Sequence, residues 1–193
     1  MLAVKRIEYE KIVHSMKLPL ESKESCIDVY HKNNWDRFTM HYDEAKKNEC
    51  PSYIDFFFDA KSMVQFIDDL IKKEVFERCF IAPLYNDRYK LKKDDDDVCM
   101  DIYDEFKKLL HSLGLRVNTN NAIQMSKEEL LGWSDRLSIG GFCGVSEYTI
   151  VIPEQNLLIM PHHHMNYLIY TNNKTEFLKR IVVENSDEVM IEA

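Results

Sequence analysis

The 193-residue chain is 45% hydrophobic and 30% charged, with five glycines and five prolines. That is enough apolar material for an ordinary core in a single domain spanning 1–193, and too little Gly and Pro for collagen, a flexible linker or low-complexity disorder. The formal net charge is −8, and the basic pairs (Lys46-Lys47, Lys72-Lys73, Lys92-Lys93, Lys107-Lys108) are scattered, each with acids close by. Nucleic acids and anionic membranes are held by clustered Lys and Arg, so neither is expected as a partner, whereas a basic protein is favoured because complementary charge speeds encounter.

In chain order, Val4, Ile7, Ile12, Val13 and Met16 fall roughly on one helical stripe and predict a helix over 4–16, ended before Pro19. This stretch lacks the apolar core of a signal peptide. No stretch of the chain approaches the ~18 apolar residues of a membrane span. The five cysteines are odd in number, widely spaced and without CxxC, so reduced thiols and a cytoplasmic location are expected.

Residues 26–30 read as a short strand, Lys32-Asn33-Asn34 as a turn, and residues 35–42 as a strand with one wet face, the two runs making a hairpin. Residues 53–58, with three consecutive phenylalanines, read as a third and more deeply buried strand. Asp59 is placed to cap a helix over 60–73, where Met63, Val64, Ile67, Leu70 and Ile71 form an apolar stripe opposite Asp68, Asp69, Lys72 and Lys73. A strand over 75–82 is stopped by Pro83.

The clearest element lies over 94–113. Val98, Ile102, Phe106, Leu109 and Leu113 step by threes and fours, four aspartates lead in where negative charge favours a helix N-terminus by ~0.3–1 kcal/mol, and Gly114 is a natural residue just past the end. Ser126-Lys127-Glu128-Glu129 is a capping box opening a short helix. After a break at Gly140-Gly141, residues 147–152, 157–160 and 165–171 read as strands of an antiparallel meander. Residues 175–180 form a short helix or loop, and 181–192 a last β-type segment. The class is therefore α+β: an antiparallel sheet with two or three amphipathic helices packed on it.

Three constellations bear on function. In Pro161-His162-His163-His164, neighbours on an extended chain point to opposite faces. His162 and His164 then share a side at the H-x-H spacing of strand-borne metal sites, suited as neutral imidazoles to Zn²⁺ or Fe²⁺. His41, Asp55 or Cys143 would supply a third ligand, and the chain would be a metal-dependent hydrolase or oxygenase. The alternatives are a polar turn whose imidazoles meet water, and a recognition or pH-sensitive contact. Gly141-Phe142-Cys143-Gly144 matches the G-x-C-G pattern around the nucleophile of chymotrypsin-like viral cysteine proteases, with His41 as the matching base. Such enzymes are double β-barrels, which two amphipathic helices in mid-chain argue against, and a small thiol in a Gly-rich turn is the alternative.

The third constellation is acidic. Asp94, Asp95, Asp96, Asp97, Asp101, Asp104 and Glu105 contain no base among them, and helical spacing puts Asp97, Asp101 and Asp104 or Glu105 on one face. Asp68 and Asp69 join them if the two helices pack side by side. Such a face can dock a basic protein by charge matching. A divalent-metal site and a solvated helix end are the alternatives, and no glycine sits where a calcium loop needs its sharp turn. Trp35, Trp133 and the tyrosines are candidate interface anchors.

There is no P-loop, no G-x-G-x-x-G, no G-x-S-x-G and no H-E-x-x-H. A short acidic chain of this kind, ending in a meander that carries Leu157-Leu158-Ile159-Met160-Pro161-His162-His163-His164-Met165-Asn166-Tyr167-Leu168-Ile169-Tyr170, resembles the bacterial immunity proteins of contact-dependent inhibition and other polymorphic toxin systems. The resemblance implies a cytosolic protein that binds a toxin domain and blocks its active site, with no catalytic residues of its own. The expectation is thus a protein-binding module with its acidic face on a basic partner, and no cofactor unless Zn or Fe sits at His162 and His164.

Overall fold

The computed structural model describes residues 1–20, 26–32, 52–83, 88–89, 91, 97–145, 147–163, 165–182 and 187–193. One eight-stranded sheet organises them. Its strands are β1 (Leu2–Val4), β2 (Cys26–His31), β3 (Arg78–Pro83), β4 (Ala122–Ser126), β5 (Tyr148–Ile152), β6 (Leu157–His162), β7 (Asn166–Thr171) and β8 (Val189–Glu192), in the order β1-β4-β3-β5-β6-β7-β2-β8. Every pairing is antiparallel. The helices are α1 (Arg6–Met16), α2 (Ser52–Lys73), α3 (Asp97–Ser112), α4 (Lys127–Leu131), α5 (Ser134–Phe142) and α6 (Lys174–Val182). This is the α+β architecture expected from the sequence, with β5, β6 and β7 forming the meander.

β5 is buried along its whole length, and β6 from Leu157 to Pro161. An antiparallel strand with one wet face alternates; a continuous apolar run means that both faces are covered. Ile81, Ile123, Ile150, Ile152, Leu157 and Ile159 face a core built with Met63, Ile67 and Ile71 of α2, Phe106 and Leu110 of α3, Leu137 and Phe142 of α5 and Phe177 of α6. On the other face, Phe80, Ala82, Val151, Leu158 and Met160 meet Tyr9 and Met16 of α1, which is the one described helix contributing to that cluster.

Several local expectations are corrected. Residues 53–58 are not a strand but the first turns of α2. The buried residues Phe56, Ala60, Met63, Ile67 and Ile71 continue one helical stripe backward from 60–73, while Phe58 is 62% exposed. The stripe overrides the β preference of three phenylalanines, which is a statement about fitting a half-buried surface rather than about the backbone. Asp59 consequently lies inside α2 rather than capping it. Both edges of β2 are occupied, one by β7 and the other by β8, leaving no edge for the expected hairpin partner; residues 33–42 lie outside the described residues. The N-terminal helix begins at Arg6, since residues 2–4 pair with β4. Strand β3 starts at Arg78 and takes in Pro83. The final β-type segment divides between the end of α6 and β8.

Gly140 and Gly141 lie within α5 rather than breaking the chain. A Cβ on Gly141 would stand 2.6 Å from Pro161 Cβ, and one on Gly140 3.1 Å from Ile102 Cγ2. The glycines let α5 press onto β6 and α3.

Candidate functional site

Helix α3 carries the described part of the acidic block. Ile102, Phe106, Leu109 and Leu110 anchor it in the core, while Asp101 and Asp104 are exposed on the outside. Its end is closed as the sequence implied. Gly114 has φ +70°, its N–H donates to His111 O at 3.0 Å, and the Leu115 N–H donates to Leu110 O at 2.9 Å, the paired bonds of a Schellman motif. Among the described residues, neither Asp101 nor Asp104 makes a hydrogen bond or an ion pair.

Glu105 behaves differently. It pairs with Arg136 of α5, which also donates to Asp135 at 3.0 Å and lies 5.8 Å over the Trp133 ring. The bond to Glu105 is the largest influence raising the Arg136 pKa. Trp133 in turn meets Phe106 edge-on, at 6.4 Å between centroids. Glu105 therefore holds α3 to α5 rather than projecting an uncompensated charge. Asp94, Asp95 and Asp96 lie outside the described residues, and so does the side chain of Asp97, which opens the helix. Asp68 and Asp69 do not extend the face. Helix α5 packs against both α2 and α3, Asp68 accepts from Ser134 of α5, and Asp69 accepts from Gln65 at 2.7 Å and pairs with Lys72 at 3.3 Å.

The histidine triplet sits where β6 turns into β7. His162 is the last residue of β6, half-buried, and His163 is exposed, their ring centroids 4.0 Å apart. Burial lowers the His162 pKa against the opposing effect of a hydrogen bond with Asn166, so the neutral ring is favoured. His164 and His41 lie outside the described residues, as does the Asp55 side chain. Among the described residues, no group of three or more His, Cys, Asp or Glu could hold a metal ion.

The Gly141-Phe142-Cys143-Gly144 segment is the C-terminal end of α5, not a loop with inward-turned amides. The Cys143 N–H donates to Ile139 O at 2.8 Å, the Gly144 N–H to Gly141 O at 3.0 Å and the Val145 N–H to Gly140 O at 2.8 Å. These donors are consumed in closing the helix, so no oxyanion hole of the protease kind exists here.

Sequence reasoning missed a groove of about 630 Å³ between α1 and the sheet. Val13, Leu18, Leu158 and Met160 give it apolar walls. Tyr9 and Thr149 are both buried in it, with their hydroxyls 3.2 Å apart, and the Thr149 hydroxyl donates onward to Ala82 O at 3.3 Å. Arg6 closes one end, pairing with Glu10 at 2.8 Å and donating to Pro83 O at 3.3 Å. His14 and Lys17 stand exposed along its border. The signal was present: two continuous apolar strands demand cover on both faces, and the short N-terminal helix is little cover.

No family model matches the chain, and no curated protein and no solved structure matches it. No helix among the described residues is long and apolar enough to cross a membrane.

Proposed function

We propose that the chain is a protein-binding module, an immunity- or antitoxin-like inhibitor, that docks the acidic surface of α3 on a basic partner. The observation that carries this is the pair Asp101 and Asp104, exposed and without an ion pair among the described residues, on a helix fixed at its buried stripe and its C-terminal cap. Charge on a rigid platform costs little to organise on binding. One exposed ion pair contributes only ~0.2–1 kcal/mol, so the acids set encounter rate and partner choice more than affinity. Trp133 and Tyr103, both half-buried beside this surface, are residue types that supply affinity at interface centres. The net charge of −8 extends the same attraction beyond contact distance.

The test is capture from source-cell lysate on immobilised wild-type chain and on the Asp101→Lys/Asp104→Lys variant, at low and high salt, with nuclease treatment. A protein retained by the wild type at low salt, lost at high salt and lost on the variant is the expected result. Equal capture by both forms, or capture abolished by nuclease, overturns the proposal.

A further inference from the structure

We propose that the groove between α1 and the sheet is a binding site for a small amphipathic acid, an apolar tail bearing one carboxylate. It lies on the face of the sheet opposite α3 and is independent of the docking surface.

The groove follows from dimensions. An eleven-residue helix is about 16 Å long, whereas eight strands at ~4.8 Å spacing extend about 34 Å across. Among the described residues this is the one helix on that face, and alone it cannot seal a face whose central strands are apolar on both sides. The resulting volume, about 630 Å³, falls within the ~300–1,000 Å³ of small-molecule sites, which pair apolar walls with a few fixed polar groups.

The polar groups are ordered. Thr149 donates to Ala82 O, so its oxygen is left to accept from the Tyr9 hydroxyl, and Tyr9 presents only an acceptor to the groove. At the Arg6 end, the guanidinium is matched by Glu10. At the other end, Lys17 and His14 border the groove, with no acid there among its described lining residues. An anionic head fits beside Lys17, with the tail along Val13, Leu18, Leu158 and Met160.

Lys17 also occupies a backbone position that disfavours it. Its φ is +52°, in the left-handed region, where glycine is the usual helix-ending residue. A lysine held there lines the groove despite the strain, and strain of this kind clusters at binding sites.

Sodium decanoate below its micelle concentration is the probe, titrated by calorimetry and by amide chemical shifts, with decanol and decyltrimethylammonium beside it. Decanoate is expected to bind at one site, moving the amides of residues 13–18 and 158–160. Val13→Trp, which fills the groove from the helix side, is expected to abolish binding. Lys17→Gly is expected to raise the melting temperature while weakening decanoate by roughly two- to fivefold, leaving decanol unchanged. Failure of decanoate to bind, shifts confined to other elements, binding that survives Val13→Trp, or decyltrimethylammonium binding as tightly as decanoate overturns the proposal. The melting temperature of Val13→Trp separates a filled groove from a misfolded chain, and the Lys17→Gly comparison stands without it.

Discussion

Replacing Phe56 and Phe58 separately tests whether residues 53–58 are helical. In a strand, residues two apart share a face, so both rings would be buried or both exposed. On α2 they are about 200° apart around the helix axis. Phe56 is 2% exposed in the core and meets Phe57 edge-on at 5.4 Å, whereas Phe58 is 62% exposed with Lys61 Nζ 5.6 Å over its ring. Truncating a buried phenylalanine costs about 3–5 kcal/mol through lost burial and the cavity left behind. In a domain of this size that lowers the melting temperature by roughly 6–20 °C. Truncating Phe58 removes one exposed cation–π contact, about 0.5–1 kcal/mol. Urea unfolding followed by circular dichroism measures both. Phe56→Ala should lose several kcal/mol at unchanged denaturant slope and Phe58→Ala at most about 1; equal losses would refute the helical placement.

Gly141→Ala should destabilise by up to about 2 kcal/mol, because a methyl 2.6 Å from the rigid Pro161 ring is overpacking worth about 1–3 kcal/mol, offset by the ~1 kcal/mol alanine gains within a helix. Gly132→Ala, with nothing nearer than 3.5 Å and an ordinary right-handed backbone, should be neutral or stabilising in the same thermal melt. Ser126→Ala should cost about 1 kcal/mol, since Ser126 accepts from the Glu129 N–H at 3.2 Å while Glu129 bonds the Ser126 N–H at 2.9 Å.

Stability should fall as pH drops below about 6.5. Burial lowers the pKa of His31 and of His162, so between the folded and unfolded imidazole values the unfolded chain binds the extra protons. The carboxylates held low by hydrogen bonds, Asp69 and Glu129 among them, act separately, below about pH 4.5. His162→Gln should flatten the slope near pH 6 in urea melts; an unchanged slope assigns that window to other groups.

The elements legible in the sequence were those whose signals are local. Helix α3 had a stripe, an acidic start and Gly114 at its end; α4 had a capping box; β5 to β7 had apolar runs between turn residues. What escaped depended on distant partners. Strand β1 is three residues long and exists only as an edge on β4. Helix α5 escaped altogether, because Gly140-Gly141 looked like a break in the chain and the reason for those glycines lies in Pro161, Ile102 and Tyr148. The Phe56–Phe58 run has strand-like composition, and only its periodicity with Ala60 and Met63 reveals the helix. At the candidate site, the exposure of Asp101 and Asp104 followed from helical spacing, whereas the capture of Glu105 by Arg136 required knowing that α5 packs beside α3.

The most direct measurement of the docking claim is the association rate of the purified chain with its captured partner as ionic strength rises. The wild-type rate should fall steeply with salt, and the Asp101→Lys/Asp104→Lys rate should start lower and fall less, with dissociation little changed in either. An association rate indifferent to both salt and the two substitutions would contradict it.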